Sequence, residues 1–276
     1  LTKVLSTVPI TMKLISQKKI ALDQEITQFY PQFIGEAKEG VTIRHLLTHS
    51  SGLEDYVPFY SIKGISNKYD ILNYIINSEL KYPPGEKTLY SDLGFILLSS
   101  IIEKVSKKRF DQLAHSWIYK RIQMNNTIFN PSKELIRNIA PTEIDTSFRG
   151  KLIHGEVHDE NTFIMDGVSG HAGLFSTAED IAKYAQVWID GGLWNGNRIF
   201  KESYIKEFMT KQNLPKGSDF AIGWDSPSQN GKSSAGDYFS TGTIGHLGFT
   251  GTSVWIDPNQ EIIVVLLTNR VYPSRK

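Results

Sequence analysis

The chain has 276 residues, 40% of them hydrophobic and 21% charged, with a formal net charge of +1, the make-up of an ordinary globular protein long enough to bury a substantial core. That near-neutral balance gives no basis for nucleic acid or an anionic membrane as partner. The absence of cysteine removes disulfides, thiolate metal sites and cysteine nucleophiles from consideration, and the longest apolar run, Ile262 to Leu267, is far too short to cross a bilayer as a helix.

Val4, Leu5, Val8, Met12 and Ile15 have helical spacing, which predicts an amphipathic helix over residues 1–18. Pro9 should bend it, because it lacks an N–H and crowds the carbonyl of Leu5. The chain opens within this helical pattern and without methionine, so its true N-terminus is expected to lie upstream. Leu22 to Ile26 leads out toward Tyr30-Pro31. Thr42 to His49 reads as a short Thr-capped helix stopped by Ser50-Ser51-Gly52. His45 and His49 lie four apart and admit either a metal reading or a packed, loop-bonding pair; no third ligand stands nearby in sequence.

A helix is predicted over 68–80. Pro83-Pro84-Gly85 then enforces a turn, followed by a short extended piece and a helix with Leu93, Leu97, Ile101 and Val105 on one stripe. Ser91 or Asp92 is its natural N-cap. Tyr90 therefore sits at a rigid turn-to-helix junction, either packed in the core or pointing into a cleft. Phe110 to Tyr119 also reads as helix, and residues 123–170 turn irregular and polar.

His154-Gly155-Glu156-Val157-His158-Asp159 looks superficially like a zinc site, but it is not the helical His-Glu-x-x-His arrangement and its glycine argues for a loop. Gly167-Val168-Ser169-Gly170-His171 resembles a nucleophile elbow without its final glycine. It reads as a tight turn leading to a helix opened by a Ser176-x-x-Glu179 capping box. After about residue 219 strands are expected: Phe220 to Trp224, then His246 to Ile256 and Glu261 to Thr268 about a turn at Asp257 to Gln260. Ile262 to Leu267 is apolar without alternation, which predicts a central strand covered on both faces. Together the pattern predicts an α+β body with a mostly helical insertion and a cleft between them.

Leu1-Thr2-Lys3, Tyr90-Ser91-Asp92 and His246-Leu247-Gly248, in this order, resemble the three motifs of the serine β-lactamase and penicillin-binding superfamily: Ser-x-x-Lys, Tyr-x-Asn and Lys/His-x-Gly. The resemblance is nearest to the class C β-lactamase-like group of esterases and D-alanyl-D-alanine peptidases. Supporting stretches are Ile43 to Leu53, Tyr82-Pro83-Pro84-Gly85, Gly173 to Asp180 and His246 to Thr252. It implies one domain over 1–276, with an antiparallel sheet flanked by helices from 1–21 and 176–276 and a mostly helical second region from 22–175.

A serine three residues before a lysine on a helix sets hydroxyl and ammonium on one face, and the helix N-terminus favours developing negative charge. The lysine, or the tyrosine if nearby cations lower its pKa, takes the hydroxyl proton. A glycine-bearing strand edge admits the substrate carbonyl, with an oxyanion N–H after the glycine. The resemblance thus implies Lys3 and Tyr90 as the proton-handling pair, and His246, Gly248 and Phe249 on the carboxylate and oxyanion side. Asp92 stands where many relatives have asparagine, and His171, in a Gly-His-Ala-Gly turn, should line the cleft.

Carried over by position, the nucleophilic serine falls just before Leu1. Ser16 to Lys19 and Ser203 to Lys206 also fit Ser-x-x-Lys, but the neighbouring motifs do not line up with them. Two N-terminal strands and a long C-terminal helix of the family are not recognisable, so a chain cut at both ends is expected. His246 in place of lysine weakens the case for penicillins as substrates. The reading is a serine hydrolase working through an acyl-enzyme on a small ester, an amide or a peptidoglycan-like substrate, exported or periplasmic by resemblance, with no metal or organic cofactor implied. The alternatives are a catalytically inactive binding relative, or the C-terminal part of a larger fusion enzyme.

Overall fold

Residues 3–16 form one continuous helical rod through the core. The computed structural model, which describes residues 1–228 and 233–276, winds Lys3–Thr7 as a π-helical turn that runs directly into α1 (Val8–Ser16). The predicted amphipathic helix is instead buried on nearly all sides, as a helix apolar all round must be. Its polar groups find partners inside: Ser6 Oγ meets Tyr119 Oη at 2.6 Å, and Thr7 Oγ1 donates to the Gly170 carbonyl at 2.7 Å. Pro9 does not break the rod; it stands directly after the π-helical turn, at the second residue of α1.

α2 (Ile43–Leu47) is capped by Thr42, whose hydroxyl accepts from the His45 N–H, while the His45 ring bonds back to Thr42. α3 (Lys68–Asn77) starts at Asn67. α4 (Asp92–Ser106) is capped by Ser91, which accepts the Gly94 N–H at 3.2 Å. Its stripe of Leu93, Leu97 and Ile101 is fully buried and packs against α1, α2 and α3. The predicted helix from Phe110 is α5 (Phe110–Ala114), a π-helical stretch His115–Tyr119, and α6 (Lys120–Ile122).

The irregular middle holds β1 (Ile128–Phe129), the hairpin β2 (Ile144–Asp145) and β3 (Lys151–Leu152), α7 (Glu160–Phe163), and β4 (Leu174–Phe175), which returns to pair antiparallel with β1. α8 (Ala178–Ile189) follows. Its cap is Thr177, accepting from the Asp180 N–H, one residue later than the predicted Ser176; Ser176 is engaged with Thr127 instead. β5 (Leu193–Trp194) and β6 (Asn197–Arg198) form a short hairpin, and α9 (Glu202–Met209) closes this part.

The main sheet is antiparallel, in the order β7 (Ile244–Gly248), β8 (Thr252–Asp257), β9 (Ile262–Leu267). His246 pairs with Val254, and Val254 with Val265. Two expectations are corrected. Phe220 to Trp224 is not a strand: Gly223, at φ +80°, turns the chain, and only Asp225 bridges to Gly245. β9 is an edge strand, not a central one. Ile263 and Val265 pack on the core, whereas Ile262, Val264 and Leu266 are 41%, 43% and 55% exposed. A short apolar run alone does not say how many of its faces are covered. The architecture is α+β, with small antiparallel sheets among helices.

Candidate active site

Lys3 projects from the π-helical turn, Tyr90 and Asp92 come from the start of α4, and His246 from β7. They meet although 87 residues separate Lys3 from Tyr90 and 156 separate Tyr90 from His246. Lys3 Nζ donates to Tyr90 Oη at 2.7 Å and to Asp92 Oδ1 at 2.6 Å, and lies 4.4 Å from the centre of the Tyr90 ring. The Lys3 side chain is 5% exposed and that of Asp92 22%.

Burial by itself would lower the Lys3 pKa, but the Asp92 carboxylate and the Tyr90 oxygen outweigh it and hold the ammonium above its ordinary value. Burial pulls the Asp92 carboxyl upward, yet Lys3 wins and keeps it below the usual range. Tyr90 moves up: burial, helped by Asp92, exceeds the pull of Lys3. The resting site is therefore an ammonium, a carboxylate and a neutral phenol. The anticipated cation-lowered tyrosine is not what this environment produces, because burial, with Asp92 adding to it, outweighs the pull of Lys3.

His246 completes a directional chain. Its Nδ1 lies 2.6 Å from the Leu247 carbonyl, which can only accept, so Nδ1 carries the proton. Burial first, with the Lys3 ammonium adding to it, holds the imidazole pKa well below its ordinary value, so the ring is neutral. Nε2 is then a lone pair, 3.4 Å from Tyr90 Oη. The phenol accepts from Lys3 and donates to His246. On the same strand edge, a Cβ on Gly248 would come within 3.5 Å of the Leu1 nitrogen, so the start of the rod faces the glycine edge. Phe249 is 57% exposed, with its ring between His158 at 5.6 Å and Arg270 at 4.8 Å.

His171 stands at the wall of this cluster. Its Nδ1 meets Ser169 Oγ at 2.8 Å and its Nε2 meets Asp159 Oδ1 at 3.0 Å. Ser169, His171 and Asp159 are linked like a hydrolase triad, but Ser169 is 1% exposed and out of reach of a substrate. Sequence reasoning missed Asp159 and His49. His49 accepts the Ser91 N–H and packs at a tilt against the Tyr90 ring, 4.4 Å between centres. Its spacing from His45 suggested a pair, yet His45 turns to cap α2 and the two part ways. His154 bonds the Ile139 carbonyl and His158 the Glu143 carboxylate. Among the described residues no group of His, Asp or Glu is placed to hold a metal ion, and no helix is long and apolar enough to cross a membrane.

A buried protonated lysine and a partly exposed neutral phenol thus meet at the start of a core helix, beside a glycine-bearing strand edge. Residues 1–276 match the family model described as Beta-lactamase, and the chain belongs to that family. It is 33% identical to "Putative D-alanyl-D-alanine carboxypeptidase" of Escherichia coli strain K12, over 98% of this chain and 67% of the relative. It is 32% identical to "N-acetylmuramyl-L-alanine amidase" of Bacillus subtilis strain 168, over 98% of this chain and 66% of the relative. It thus spans about two thirds of the length of these relatives. A penicillin-binding protein homologue from Caulobacter crescentus shares the fold, with a TM-score of 0.75 at 15% identity, over 97% of this chain and 76% of that one. Membership of this family supports a serine-hydrolase-type function.

Proposed function

We propose that this chain forms the catalytic body of an acyl-enzyme hydrolase whose nucleophilic serine precedes Leu1 in a longer polypeptide. The observation that carries this is the seating of the Leu1 nitrogen against the Gly248 edge, with Lys3 bonded to Tyr90 one turn further on. A hydroxyl just before Leu1 would share a helix face with the Lys3 ammonium. As it attacks the substrate carbonyl, its proton passes to the Tyr90 oxygen while the Tyr90 proton passes to His246 Nε2. Lys3, bonded to the Tyr90 oxygen, holds the phenol in place while the two protons move, so that Tyr90 stays neutral overall. When the tetrahedral intermediate breaks, the proton returns by the same path to the leaving group. Burial makes His246 a reluctant holder of that proton, which favours its prompt return. The Phe249 N–H, beside Gly248, serves the developing oxyanion.

The substrate is an ester or amide. The names of the two relatives point to peptide bonds of peptidoglycan, either at a terminal D-alanine or next to N-acetylmuramic acid. A fluorophosphonate probe followed by intact and peptide mass spectrometry tests the assignment. The 276-residue chain is expected to stay unlabelled, since removing a nucleophile costs on the order of 10⁶ in turnover. A polypeptide extended upstream is expected to take one adduct, on the residue before Leu1. An adduct on Ser16, Ser169 or Ser203 would overturn the assignment. No adduct on the extended polypeptide leaves binding of peptidoglycan without hydrolysis as the reading.

A further inference from the structure

We propose that His49 is the positioning residue for the Tyr90 phenol, a role that rests on the hydrolase reading above and adds a residue to it. Two contacts bracket Tyr90 on the backbone: the His49 carbonyl accepts the Leu89 N–H at 2.8 Å, and the His49 ring Nδ1 accepts the Ser91 N–H at 3.0 Å. The imidazole packs tilted against the Tyr90 ring, at 4.4 Å between centres; Phe95 stacks on it at 5.1 Å, and Phe220 meets it edge-on at 5.0 Å. The residue that aims the phenol at Lys3 and His246 is thus held by hydrogen bonds on both sides and by packing against its ring.

The ring acts as an acceptor, and that explains why an imidazole stands here. Nδ1 faces an N–H and carries no proton, so the proton is on Nε2. That nitrogen is buried and has no partner among the described residues. An unmet buried donor is costly, and a phenylalanine would pack in the same slot without it. His49 also holds a left-handed backbone, φ 55°, which side-chain-bearing residues seldom adopt. The charged and titratable groups facing it are Lys3 on the π-helical turn, His246 on β7 and Asp92 on α4. Burial first, then the charge of Lys3, keeps the ring neutral, so Nδ1 remains free to accept. At 1% exposed, His49 does not touch substrate; it acts through Tyr90.

Two variants separate acceptor from packing. His49→Phe keeps a stacking ring and removes the acceptor. His49→Asn places Oδ1 where Nδ1 stands, and asparagine tolerates a left-handed backbone. Amide hydrogen exchange on the 276-residue chain needs no catalysis. His49→Phe is expected to speed Ser91 exchange about tenfold or more while Leu89 keeps its rate, and His49→Asn to restore Ser91 protection. In the upstream-extended polypeptide, His49→Phe is expected to lower kcat for a nitrophenyl ester about tenfold with KM nearly unchanged, and His49→Asn to recover most of it. Unchanged Ser91 exchange in His49→Phe would overturn the proposal. Equal losses in the two variants would also overturn it, since they would mark a merely structural residue. The expected exchange pattern, with a parent that turns over no ester, supports the seating of Tyr90 by His49 and removes only the hydrolase reading.

Discussion

The Tyr90 hydroxyl donates toward Nε2 of His246 across 3.4 Å, while its oxygen accepts from Lys3 at 2.7 Å. A phenol held in this way is the one group in the cluster that can take and give a proton in a single event. In the upstream-extended polypeptide, Tyr90→Phe should lower ester turnover by about 10²–10⁴ with little change in KM. Steady-state kinetics decides; a variant within about fivefold of the parent would remove Tyr90 from the proton path.

Asp92 is the counter-charge that makes a buried Lys3 tolerable. Asp92→Ala leaves that ammonium uncompensated and should destabilise the fold by about 3–5 kcal/mol in urea titrations. Asp92→Asn should cost less, because its amide oxygen still accepts from Nζ. A loss under about 1 kcal/mol for the alanine variant would show that Lys3 finds another partner or gives up its proton.

The neutral His246 bears on substrate choice. Its strand position lacks the fixed positive charge a lysine would present to a substrate carboxylate. The extended polypeptide should therefore hydrolyse a short nitrophenyl ester faster than a chromogenic cephalosporin. Parallel assays give the ratio, and efficient cephalosporin turnover without esterase activity would contradict this account.

Stability should fall on the acid side of neutrality. His49 and His246 are held well below the ordinary histidine value by burial and then by positive neighbours, and His45 is lowered mainly by burial. The unfolded chain takes up protons near pH ~6.5 that the folded chain refuses. Their contribution is thus complete above that pH and declines below it, by about 1.4 kcal/mol per pH unit for each histidine. Depressed carboxyls such as Glu143 and Asp257, both lowered to about 2, add their own losses below about pH 5. Thermal melts between pH 7 and 4.5 should show the histidine slope, reduced in His49→Asn. A flat profile would mean that these rings find protonated partners in the fold.

The helices with an unbroken apolar stripe were legible in the sequence. α4 and its Ser91 cap follow from the spacing of Leu93, Leu97 and Ile101, and the Tyr90 junction follows from the turn before it. Lys3, Tyr90 and His246 were legible as separate motifs, but their meeting point depends on tertiary contacts that no local pattern encodes. Asp159 and His49 carried no such signal. His49 reaches the site through one left-handed residue, a choice of backbone invisible to periodicity. The edge position of β9 was hidden for a similar reason, because what flanks a strand is decided by residues far away in the chain.

That edge has a measurable effect. Ile262, Val264 and Leu266 form an exposed apolar row on a strand with one side unpaired among the described residues, a template for pairing with another chain. The 276-residue chain should self-associate with rising concentration in sedimentation velocity, and Val264→Lys with Leu266→Lys should reduce it. Association unaffected by the double substitution would place the sticky surface elsewhere.

The spread of the site along the chain also sets when it comes into being. Contacts between residues 87 and 156 positions apart close large loops and belong to the slow, late part of folding. As the chain emerges from its N-terminal end, Lys3 and Tyr90 can pair while β7 has yet to be made. A nascent or half-folded copy therefore holds a lysine–tyrosine couple with no strand edge beside it until β7 has been made and docked.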